Sequence, residues 1–238
     1  MVAYLAILRY DAEALRGRRL LWVWLVLLTA AALWITIVAA TQHELASEAL
    51  ASYLGWVLLP LSLVVVAAIA GGAVNGEASV AADSILSRAV TREAYLAAKA
   101  TARVATILGA YVAVAIPAAL LIARYGVADT STAGLVAGLA ALGALLWLVA
   151  AAGLTLSVSV ARPAGASLAL FAGVALVAGA AEAIGLDRVS PLALLGDLAA
   201  TLRGDADAMR ALEAAAMYAV SGVALLAAAF WRYRVREL

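Results

Sequence analysis

Of 238 residues, 67% are hydrophobic and 13% charged, and the mean hydropathy is +1.06. A soluble domain runs at about 45–50% apolar and about a quarter charged, and a body this small has too little interior to hide the difference, so the surplus must face lipid. A formal charge of +1, no cysteine and a single histidine exclude a basic nucleic-acid surface, disulfides, thiol nucleophiles and histidine-cluster metal sites.

The first segment, about residues 3–18, sets Tyr4, Leu5, Leu8, Ala12 and Leu15 at helical spacing, with Arg9, Asp11, Glu13 and Arg16 on the rest of the wheel. It reads as an amphipathic helix lying along a membrane face, or as a charged flank. Six stretches without Asp, Glu, Lys or Arg then follow, at Leu20–Ala40, Ala49–Gly76, Val104–Ala123, Thr130–Ala161, Pro163–Ala181 and Ala214–Trp231. About 20 apolar residues carry a helix across the hydrocarbon core. None shows two-residue alternation, so the predicted fold is all-α: a polytopic membrane protein with six transmembrane helices, at about 20–40, 50–75, 104–123, 132–160, 164–183 and 213–231. The first stretch is too long and too rich in tryptophan for a signal peptide and is expected to be retained.

Six crossings bring both termini to one side. Segments on that side carry Arg9, Arg16, Arg18, Arg19, Arg88, Arg92, Lys99, Arg103, Arg162, Arg232, Arg234 and Arg236, against Arg124, Arg188, Arg203 and Arg210 opposite. This asymmetry predicts cytoplasmic termini. Trp22, Trp231 and Trp56 fall where interfacial anchors are expected.

The loop at about 77–99 is longer than a helical hairpin needs. Its sequence allows two short helices joined at residues 87–90, the second capped by Thr91 and running through Tyr95, Leu96 and Lys99 into the third span. It reads either as a compact cytoplasmic knob or as a solvated loop whose charges set topology. At the opposite face, about residues 187–211 read as an amphipathic segment, either a lid or a helix resting on headgroups, with Asp197, Asp205 and Asp207 facing water.

Within the spans, glycines at 134, 138, 143 and 153, and at 173 and 179, allow close helix approach. Pro60 and Pro117 allow kinks in spans two and three. Ionisable groups are scarce there. Glu182, near the outer end of span five, is the one candidate for an ion-binding group, and it reads first as an interfacial carboxylate snorkelling beside Asp187 and Arg188. His43 with Glu44 and Glu48 is too sparse for a metal site, and no catalytic constellation, cofactor motif or phosphate-binding Gly-x-x-x-x-Gly-Lys-Ser/Thr loop occurs.

The run Glu77…Asp83-Ser-Ile-Leu-Ser-Arg-Ala-Val-Thr-Arg92…Lys99 resembles the first cytoplasmic loop of ABC-2-type transporter permeases. These carry an acidic residue, a Leu-Leu-Ser-x-Pro-Val-Ser-Arg run, and a lysine as the next helix begins. Val80-Ala81 stands where that family has Gly-Thr, and Ala89 where it has Pro. The resemblance implies the membrane half of an ATP-driven exporter in the cell membrane, working with a cytosolic ABC ATP-binding subunit and a second permease subunit as a homodimer. On that reading Glu77, Asp83, Ile85, Leu86, Arg88, Arg92 and Lys99 form the ATPase-coupling loop. Ile85 and Leu86 supply an apolar anchor, Asp83, Arg88 and Arg92 make charge-assisted contacts to the motor, and Glu77 and Lys99 tie the loop to the membrane face or to the first helix. The alternative is an ATPase-independent membrane protein, a secondary carrier or a structural subunit of a larger complex.

Overall fold

A computed structural model describes residues 2–72, 91–160, 162–183, 190–206 and 208–235. The described residues are almost all helical and include no strand beyond one isolated bridge between Leu45 and Val127. The helices in chain order are α1 (Val2–Arg16), α2 (Arg19–Gln42), α3 (Ala46–Ser52), which continues through a π-helical turn (Tyr53–Leu58) into α4 (Leu59–Gly71), then α5 (Arg92–Tyr125), α6 (Thr132–Ser159), α7 (Pro163–Ala183), α8 (Pro191–Gly196), α9 (Leu198–Arg203) and α10 (Ala208–Val235). Among the described residues five units are long and apolar enough to cross a membrane: α2, the α3–α4 rod, α5, α6 and α10. In α7 the described apolar stretch is shorter, Ala164–Leu176. Large side chains such as Val26, Trp34, Leu120, Leu176 and Val220 stand exposed on these helices. That is tolerable in lipid, where such side chains are as much at home as in a core.

Helix α6 is the axis of the bundle. Its Ala137, Ala141, Leu142, Leu146, Val149 and Leu154 are buried, with α10 laid along it and α4, α5, α7 and α9 packed around it. Small residues set these approaches. A Cβ on Gly134 would lie 2.0 Å from the Thr201 carbonyl oxygen, and one on Gly222 would lie 2.2 Å from Trp147 Nε1. The Trp147 indole donates across the seam to the Ala219 carbonyl at 3.1 Å. The glycines of α6 therefore serve packing within the chain. Among the described residues nothing stands within 4 Å of a Cβ built on Gly173 or Gly179.

Polar contacts pin the bundle at both ends. At one end Ala46 N–H donates to the Val127 carbonyl (3.0 Å), Val127 N–H to Glu44 (2.9 Å), and Ser131 N–H to Leu202 (2.9 Å). Asp129 accepts from both the backbone N–H and the hydroxyl of Ser47, which satisfies a free donor in the first turn of α3. His43 sits left-handed (φ 56°) where α2 ends, so its place is a helix terminus. No metal-binding group occurs among the described residues.

Among the described residues the segment between α7 and α10 holds two helices with a break at Asp197. Leu198 and Leu202 are fully buried against the chain's own helices, and Arg203 reaches Asp205 (2.9 Å) and Glu48 (3.4 Å). Gly204 closes α9 at φ 91°, which suits glycine because it has no Cβ to clash. Pro60 does not kink a regular helix: the π-turn ends beside it, and Leu59 N–H bonds five residues back to Leu54. Pro117 lies inside the continuous α5.

Candidate functional site

The other end gathers the start of α5, the end of α4, the end of α10 and the whole of α1. Helix α5 begins at Thr91, whose hydroxyl accepts from Ala94 N–H at 3.2 Å, the cap its sequence position called for. From there 34 residues run without interruption, so the segment around Tyr95–Lys99 and the third apolar stretch are one rod.

Lys99 and Arg103 occupy successive turns on the face of that rod covered by α1. Both are 2% exposed. Between them lies Asp11 of α1, 4% exposed, paired with the Arg103 guanidinium and 3.6 Å from Lys99 Nζ. Arg103 Nε–H also donates to the Ile69 carbonyl (3.0 Å), near the end of α4, where the carbonyls lack helical partners. Lys99 stands 5.1 Å from the Tyr95 ring centroid, a cation–π contact one turn back. Tyr4 donates to the Thr101 hydroxyl (3.1 Å), and on the exposed side Arg234 of α10 pairs with Glu93 of α5. One carboxylate thus joins α1 to α5, and Arg103 extends the junction to α4.

This corrects the sequence reading of the first helix. Asp11 is not on its solvated side, and Leu5 is not on its packed side: Leu5 is exposed. The packed face runs through Tyr4, Ile7, Leu8, Asp11 and Leu15, because the buried cations of α5 draw the carboxylate inward and the wheel turns with it. Arg9 and Glu13 do face out, 2.8 Å apart, and the carboxylate raises the Arg9 pKa through their hydrogen bond. Lys99 and Arg103, counted as topology charges, are in fact shielded from solvent. Two signals pointed to them: Asp11 lies at helical spacing from Ile7, Leu8 and Leu15, and Arg103 follows Lys99 by four.

Of the residues assigned to the coupling loop, Lys99 lies within α5 beside Asp11 of the first helix. Arg92 opens α5. Glu77, Asp83, Ile85, Leu86 and Arg88 lie outside the described residues, as does the side chain of Glu182. No protein-family model matches the chain, and no curated protein sequence matches it.

Proposed function

We propose that this chain is the permease subunit of an ATP-driven ABC transporter in the cell membrane. It crosses the bilayer six times with both termini cytoplasmic and acts as an exporter within a homodimer that binds a separate cytosolic ATPase. The observation that carries this reading is the Asp11–Lys99–Arg103 junction. It begins at Lys99, the last residue of the 77–99 segment, and fastens the first helix, the third long helix and the end of the second into one unit. A loop pushed by a motor needs such a unit, since a push is transmitted only if the helix it enters is braced at its base. The basic residues collected at this end agree with a cytoplasmic face. The scarcity of charge in the spans suits a permease that draws its energy from a partner.

The test is co-purification with an ATPase carrying a phosphate-binding loop, followed by the double substitution Asp83→Arg with Arg92→Glu. The expected result is an assembled complex that hydrolyses ATP without transport. Unchanged coupling in a well-folded double variant removes the loop from the mechanism. Vesicles containing this polypeptide alone that move solute along an ion gradient establish the ATPase-independent reading.

A further inference from the structure

At the end of the bundle away from the basic cluster, α3, the π-turn and α4 diverge from α7 and leave a cavity of about 800 Å³. This falls within the roughly 300–1,000 Å³ typical of small-molecule sites. The two helices meet at the opposite end, where Ser167 donates to the Ala67 carbonyl at 3.2 Å, so the space is a wedge closed at its base. Val149 of α6 and Val174 of α7 wall it, and Leu195 of α8 roofs it.

Along this greasy wedge runs one polar seam. Glu48, Ser52 and Gly55 follow at helical spacing on the rod, and all three line the cavity. At Gly55 the seam is a backbone carbonyl left bare by the helix itself. The N–H four residues on, at Leu59, is given to Leu54, and the residue five on is Pro60, which has none. Gly55 has no side chain to cover that oxygen, and the nearest atom to a Cβ built there is Leu195 Cδ2, 3.6 Å away. At the mouth, Glu48 and Asp205 share the single guanidinium of Arg203, which sits closer to Asp205 (2.9 Å) than to Glu48 (3.4 Å). Two carboxylates against one cation leave the mouth negative, and Glu48 keeps accepting capacity.

From this we infer that the cavity binds an amine-bearing amphiphile, its ammonium donating to the Glu48 carboxylate at the mouth and its apolar body against Val149, Val174 and Leu195. The wedge supplies acceptors and hydrocarbon, which suits a donor head on a greasy chain and disfavours an anionic one. This inference stands on the cavity alone and does not depend on an ATPase.

The test uses protein in phosphatidylcholine vesicles, with 11-bromoundecylamine as probe and its carboxylate counterpart as control. Bromine quenches indole fluorescence on contact, and Trp56 lines the site. A saturable quenching component that disappears in Trp56→Phe is expected for the amine. Its affinity should exceed that of the carboxylate by about tenfold, as a hydrogen bond to a charged group would give. Glu48→Gln, at an exposed position, should remove most of that preference, and Gly55→Phe, which fills the wedge, should weaken the amine about tenfold or more. Quenching that rises linearly with probe in the bilayer and is unchanged by Gly55→Phe would show simple partitioning and overturn the inference. Equal affinity for amine and carboxylate would overturn the role of the Glu48 carboxylate.

Discussion

Removing the Asp11 carboxylate should be among the most damaging single changes at the basic end. In Asp11→Ala, Lys99 and Arg103, both 2% exposed in the intact protein, lose their shared anion. Breaking a buried pair by deleting one partner costs about 3–5 kcal/mol, because the remaining charge keeps its desolvation penalty without the attraction that offset it. The junction lies near a helix end, where long cations can turn toward water, so we expect the lower figure of about 3 kcal/mol, or a fall of about two decades in the folded ratio. Replacing all three groups with apolar ones of similar size (Asp11→Leu, Lys99→Met, Arg103→Met) should recover most of the loss, since a packed apolar contact requires no desolvation of charge. Recovery should stop short of complete, because the Ile69 carbonyl then loses the 3.0 Å bond from Arg103, about 1 kcal/mol. The assay is reversible unfolding in mixed micelles, comparing the single, paired and triple variants as a cycle. If Asp11→Ala costs less than about 0.5 kcal/mol, or if the triple variant is as unstable as the summed singles, the charges are not coupled and the bracing argument fails.

Further expectations concern packing and arrangement. Gly222→Ala should loosen α10 from α6 by about 1–3 kcal/mol, since its methyl would collide with the Trp147 ring, and Trp147→Phe in the same chain should restore part of the loss. The readout is the unfolding midpoint together with Trp147 emission; an additive double variant would refute the contact. Gly134→Ala should force α9 off α6, because the obstruction is the rigid Thr201 carbonyl, and proteolysis between residues 203 and 206 should become measurably faster. Unchanged proteolysis would mean that α9 is held elsewhere. The chain has no cysteine, so engineered pairs report without background. Glu93→Cys with Arg234→Cys should cross-link through a short bis-maleimide, whereas Asp205→Cys and Arg234→Cys should react with a membrane-impermeant maleimide from opposite sides of sealed vesicles. Labelling from the same side would reject the proposed topology.

What the amino-acid order determines by itself is class and periodicity. Long apolar runs can satisfy their backbone in lipid only as helices, so an all-helical bundle with membrane-length elements follows from composition and run length. The Thr91 cap and the packing role of Gly134 and Gly138 were legible for the same reason, as each depends on neighbours a few residues away or on the absence of a side chain. The meeting of Asp11 with Lys99 and Arg103 was decided elsewhere, since about ninety residues separate them and no local rule distinguishes a buried carboxylate from a solvated one on the same helix. Nor could Gly55 and Pro60 announce a bare carbonyl at the edge of a cavity: a proline in a span signals a bend, and only the packing of α4 against α6 and α7 selects a π-turn and leaves the wedge. Short-range sterics and the hydrophobic demand of lipid act along the chain and can be read from it. Which charges find each other, and where helices part, depends on contacts between distant segments, and these exist only once the bundle has formed.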